Sequence, residues 1–124
     1  MGERISTFKE LQVYQLACEL DEKIFEETKR WPSDEKFALI DQIRRSSRSI
    51  GANIAESWAK RRYPVHFLSK LTDADGELQE TIHWLGRAGK YGYLEKAKLI
   101  ELEELCLNIG RKLGKMLQNP ESFA

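Results

Sequence analysis

Between Phe67 and Ala88 one set of mostly apolar residues recurs at alternating steps of four and three: Phe67, Leu71, Ala74, Leu78, Thr81, Leu85, Ala88. A strand shows the same face every second residue and cannot gather such a set. An α-helix collects it into one narrow seam. Steps of four and three are knobs-into-holes spacing, so this segment is expected to lie against other helices in a bundle.

Three further segments carry the same period. Thr7 and Glu10 read as a capping box opening a helix over about 8–30, with Val13, Leu16, Ala17, Leu20 and Ile24 on one face. Trp31-Pro32-Ser33 is a turn. Ser33 is a good N-cap and Asp34 and Glu35 suit the first turn of a helix over about 34–59, with Phe37, Ile40, Ile43, Ser47, Ile50, Ile54 and Trp58 inward. Lys60-Arg61-Arg62-Tyr63 connects it to a third helix over 64–89, opened by Pro64 and closed near Gly89 and Gly92. A fourth runs over 95–117 with Leu99, Leu102, Leu105, Cys106, Ile109, Leu113 and Met116 inward. All three prolines, Pro32, Pro64 and Pro120, fall at boundaries. The fold class this predicts is all-α: one domain over 1–124, an antiparallel up-down-up-down four-helix bundle that self-associates.

Lys+Arg and Asp+Glu are 20 each, so the net charge is zero. A chain without basic excess is not a general polyanion binder, and any such binding must come from local asymmetry. One asymmetry stands out. From Gln42 to Tyr63 the cations Arg44, Arg45, Arg48, Lys60, Arg61 and Arg62 face a single anion, Glu56. On a helical projection Arg44, Arg48 and Arg62 fall within ~40° of one another, beside the apolar stripe. Guanidinium forks suit phosphate oxygens, and Trp58 and Tyr63 are placed to stack on bases, which makes these six cations the candidate nucleic-acid-binding residues. The competing reading has the arginines neutralised by carboxylates, within the subunit or across a subunit contact. Ala52 and Ala55 in the same sector permit close approach of another helix. Helix 3 offers a counterpart in Asp73, Glu77 and Glu80, on one stripe with Trp84; like charges four apart cost ~0.2–0.5 kcal/mol per pair unless a cation answers them. Ala52, Ala55, Asp73, Glu77, Glu80 and Trp84 are therefore the candidate subunit-interface residues, with helix 2 of one copy meeting helix 3 of the next.

Catalytic chemistry finds no residue set. Glu80-Thr81-Ile82-His83 has the Glu-x-x-His spacing of di-iron bundles, but that site needs a second such pair, and helices 1, 2 and 4 hold no histidine. Ser46, Ser47 and Ser49 lack a histidine or carboxylate at any telling spacing, and no glycine-rich phosphate loop exists. No catalytic residue, metal site or cofactor is expected. Cys18 and Cys106 read as buried free thiols, and Gly110 and Gly114 as a close inter-helix or inter-subunit contact. No apolar run approaches the ~20 residues of a membrane span and no secretory h-region follows the start, so a cytoplasmic protein without a membrane partner is expected.

Several short motifs add a resemblance. Gln42-Ile43-Arg44-Arg45-Ser46, followed by Ser49-Ile50 and Asn53-Ile54-Ala55-Glu56, resembles the signature of a bacterial family of small four-helix-bundle proteins, encoded in intervening sequences of large-subunit ribosomal RNA genes. Phe8-Lys9-Glu10-Leu11, Tyr14-Gln15, Ala17, Phe67-Leu68, Glu77-Leu78 and Gly92-Tyr93-Leu94 are similar too, so that the likeness spans about residues 7 to 118. The chain departs from the family at Gly51, where proline is usual, at Ser57, where glycine is usual, and at Asp73-Ala74, where Gly-Ser is usual. The resemblance implies a ring-shaped homopentamer. It also implies kinship with the accessory variability determinant of diversity-generating retroelements, a basic pentamer that works with a reverse transcriptase and its RNA. The expected partners are then further copies of the chain, RNA or DNA, and a protein such as a reverse transcriptase. The leading functional reading is a non-enzymatic assembly that binds nucleic acid; the alternative is a protein-interaction scaffold without that role.

Overall fold

Four long helices carry the fold in the computed structural model, which describes residues 5–123: α1 (Gln12–Thr28), α2 (Leu39–Ala59), α3 (Pro64–Lys90) and α4 (Lys96–Gln118). Short 3-10 turns lie at Phe8–Glu10, Ser33–Glu35 and Pro120–Phe123, and the described residues contain no strand. Cross-helix contacts fix the directions. Early α2 meets late α3 (Ser46 with Thr81) while late α2 meets early α3 (Glu56 with Lys70). Thr28 near the end of α1 bonds Arg44 early in α2, and Tyr14 near its start lies against Gly51. Lys23 reaches Glu101 and Gln12 reaches Lys112, so α1 and α4 are likewise opposed.

All seven seam residues of α3 are buried, from Phe67 to Ala88. They pack on Ala17, Leu20 and Ile24 of α1, on Ile43, Ile50 and Ile54 of α2, and on Leu102, Ile109 and Leu113 of α4 in one continuous core. Pro64 occupies the first turn of α3, where its missing N–H costs nothing. At the other end Gly92 takes φ +80°, Tyr93 N–H reaches the Ala88 carbonyl (3.0 Å) and Gly92 N–H that of Gly89 (3.1 Å). This double closure is the Schellman motif, and its left-handed residue requires glycine.

The two helix starts differ from expectation. Thr7 accepts from Lys9 N–H (2.9 Å), while the Glu10 carboxylate takes the Ser6 hydroxyl (2.6 Å). The reciprocal box does not form, and α1 begins only after the extended residue Leu11. Ser33 caps no helix. Its segment closes as a 3-10 turn, the backbone breaks at Ala38 (φ −124°, ψ −105°), and α2 starts at Leu39. The cap is Glu35, whose carboxylate accepts from Leu39 N–H (3.3 Å) and from the Tyr93 hydroxyl (2.8 Å). Phe37 consequently lies outside the helix and is 88% exposed rather than inward.

α2 runs through Gly51 without a break. Gly110 faces Leu78, and a methyl there would meet it at 3.5 Å; Gly114 faces open space within the subunit. Gly114→Ala should therefore raise unfolding free energy by about 0.5–1 kcal/mol through helix propensity alone, read from urea denaturation. Cys106 is buried and Cys18 half-buried, and both are free. Burial, reinforced by Glu103, pushes the Cys106 thiol up to about 12. The native protein at pH 8 should accordingly show Ellman's reagent no fast-reacting Cys106, whereas unfolding in guanidinium should release two thiols per chain.

Candidate nucleic-acid interface

Helix α2 turns its polar residues toward both flanking helices. On the α1 side, Arg44 Nε donates to Thr28 Oγ1 (2.8 Å) and its Nη2 to the Phe25 carbonyl (3.4 Å). The Arg44 guanidinium lies 4.7 Å from the centre of the Phe25 ring and that of Arg48 5.7 Å from it. The partners of Arg44 are thus neutral: a hydroxyl, a carbonyl and an aromatic face. Asp21 lies nearby; burial first, then Glu22, push its carboxyl up, and Arg48 draws it back down. None of the ion pairs among the described residues uses Arg44 or Arg48. Together with Lys36, Phe37 and Ile40 they line an open groove of about 540 Å³.

The α3 side is different. Arg45 Nη2 donates to Glu80 Oε2 at 2.7 Å, and its Nη1 stands 3.9 Å from Glu77. Glu80 also accepts from Trp84 Nε1 (3.0 Å). Arg45, read from the sequence as open to a ligand, is taken up by acids of its own subunit. Lys70 serves Glu56 (2.9 Å) and Asp73 (3.7 Å), so the Glu56 carboxyl is held below its ordinary range by the Lys70 bond. What remains is an acidic groove of about 390 Å³ lined by Asn53, Thr72, Asp73, Gly76, Glu77 and Glu80. Its Glu77 Oε1 is buried and finds no donor within the described residues. Ala52 is exposed and Ala55 half-buried beside it.

Lys60, Arg61 and Arg62 belong to neither groove. Sixteen positions of ~1.5 Å rise separate Arg44 from Lys60, so the turn lies about 24 Å along the axis, and the six cations form two patches instead of one. Arg61 donates to the Trp58 carbonyl (2.9 Å) and covers the Trp58 ring at 4.2 Å. Trp58 is 9% exposed, so the expectation that it stacks on a base fails; its faces are already used. Tyr63 is 65% exposed and meets only the edge of His66.

Other chemistry is sparse. His83 is exposed and rests edge-on against Trp84. Among the described residues no three of His, Cys, Asp and Glu gather as metal ligands would, and no helix is long and apolar enough to cross a membrane. Sequence reasoning missed Lys36 and Phe37 as groove residues and Phe25 as the ring against which Arg44 and Arg48 rest. The one available signal was that Phe25 stands off the apolar stripe of α1.

Comparison with known proteins adds two findings. Residues 9–115 match the family model described as 23S rRNA-intervening sequence protein. The fold also matches the crystal structure of a protein with unknown function from the S23 ribosomal protein family of Bacteroides thetaiotaomicron VPI-5482, with TM-score 0.76, 26% identity, 86% of this chain covered and 95% of that one. No curated protein matches the chain.

Proposed function

The chain belongs to the 23S rRNA-intervening sequence protein family, and we propose that it works as a non-enzymatic, self-assembling bundle that binds RNA or DNA in a bacterial cytoplasm. The observation that carries this reading is the state of its cations. Arg44, Arg48, Lys60, Arg61 and Arg62 join none of the ion pairs among the described residues, although the chain has as many acids as bases. Guanidinium groups held by neutral partners keep their charge uncompensated and available to phosphate.

The assembly half of the proposal is placed on the α2–α3 face, around Ala52, Ala55, Asp73, Glu77, Glu80 and Trp84. Two features support it. Gly76 lies in the interior of a 27-residue helix with nothing within 4 Å of where its side chain would begin. A mid-helix glycine costs ~1 kcal/mol, and close approach of a neighbouring copy would account for keeping it. The buried Glu77 oxygen also lacks a donor that such a copy could supply. The likeness to the family signature carries the number, a ring of five, and the idea of a protein partner such as a reverse transcriptase acting on the same RNA. A scaffold without a nucleic-acid role is the second reading, favoured by zero net charge and by the acidic groove.

The two separate by salt. A gel shift with mixed RNA at low salt should show binding whose affinity falls steeply with ionic strength, and Arg61→Glu with Arg62→Glu should weaken it at least tenfold. A native protein that shifts no RNA would leave the scaffold reading. For the assembly, Gly76→Gln should bring the light-scattering mass down to the 14.4 kDa of one chain while the circular dichroism keeps its helical amplitude. A mass unchanged by that substitution would remove the α2–α3 face as the contact.

A further inference from the structure

We infer that the open groove along the first half of α2 is a site for single-stranded nucleic acid, in which Phe37 stacks on an unpaired base while Lys36, Arg44 and Arg48 hold the adjoining phosphates. This rests on the nucleic-acid reading above and gives it a site and a substrate class.

Phe37 is the least expected side chain of the molecule. Its spacing before Ile40 and Ile43 suits the core, yet the break at Ala38 turns it out to 88% exposure. Single exposed apolar residues are ordinary, but this one stands in a groove that Lys36, Arg44, Arg45 and Arg48 also line. Lys36 Nζ lies 5.5 Å from the centre of the Phe37 ring. With Arg45 neutralised by Glu80, the groove keeps three cations, Lys36, Arg44 and Arg48, against Asp41. Its volume of about 540 Å³ lies within the ~300–1,000 Å³ of small-molecule clefts, room for a nucleotide unit of a longer strand. Arg44 and Arg48 are braced on the Phe25 ring, so little side-chain freedom is left to lose when a phosphate arrives.

The pairing of an open aromatic face with a basic groove selects among polyanions. In a duplex the base faces are covered by their neighbours and only edges are displayed, so a phenyl ring gains nothing from it. In a single strand every base offers a face. An acidic protein surface would answer the cations and leave the ring unused.

The test is fluorescence anisotropy at low salt with a labelled oligouridylate of twelve nucleotides and a labelled RNA duplex of twelve base pairs. Phe37→Ala should weaken the single strand at least tenfold, the effect of one lost base stack, and change duplex binding by less than twofold. Phe37→Tyr, which keeps an aromatic face, should restore the single-strand affinity. Since Phe37 packs into no core, circular dichroism should show Phe37→Ala folded as the native protein is. If Phe37→Ala binds the oligouridylate as the native protein does while Arg61→Glu with Arg62→Glu loses it, the groove is overturned and the nucleic-acid reading stands. If the native protein binds neither RNA, both fall. If Phe37→Ala instead lowers the light-scattering mass, a second copy occupies the groove and the inference is likewise overturned.

Discussion

Where α2 lies against α3, the hydroxyls of Ser46 and Thr81 meet 2.9 Å apart, both fully buried among isoleucine and leucine side chains. Each hydroxyl also bonds a carbonyl of its own helix, Ser46 that of Ile43 (3.3 Å) and Thr81 that of Glu77 (2.9 Å), so sliding one helix past the other by a turn would cost the inter-helix bond, about 0.5–1.5 kcal/mol, without stranding either group. The close-packed seam sets the register of the two helices, and this pair adds to that preference. The polar contacts along the same face share that register. Only in this register does Arg45 reach Glu80 and Glu56 reach Lys70, and only in this register are Asp73, Gly76 and Glu77 gathered beside Asn53.

The seam of α3 was fully legible because all seven of its residues obey one local period and all seven are buried. The start of α2 was not. Ser33, Asp34 and Glu35 carry every local sign of a helix N-terminus, but Trp31 is packed into the core and Glu35 is tied to Tyr93, 58 residues on. Those two anchors hold the segment as a 3-10 turn and delay the helix to Leu39. A signal that depends on such a distant partner leaves no trace in a window of neighbouring residues. The misplacement of Phe37 is the direct consequence, since a helix begun at Asp34 would have carried it inward.

The candidate site divides along the same line. That six cations crowd between Gln42 and Tyr63 is visible in the sequence, and so is the acidic stripe of α3. Which cation answers which acid is not, because Arg45 and Glu80 are 35 positions apart and their meeting depends on the register of two helices. A helical projection also grouped Arg62 with Arg44 and Arg48, although α2 ends at Ala59 and Arg62 stands in the turn beyond it. The projection carries angle and no axial distance, and the distance of about 24 Å is what splits the cluster in two.

Zero net charge is no obstacle to a phosphate site built this way. The basic groove and the acidic groove adjoin along α2, Arg45 lining the first and bonded to Glu80, which lines the second. A phosphate held by Arg44 and Arg48 meets their charges directly, whereas the acids beyond Arg45 act through a pair that is already neutralised and through solvent with a screening length of ~8 Å. The Arg45–Glu80 pair takes one charge from each groove. If copies join through the α2–α3 face, as proposed, the acids are withdrawn into the contact and the basic grooves repeat around the assembly. A strand long enough to reach two of them then binds the second at a high effective concentration, so a groove of modest affinity becomes sufficient.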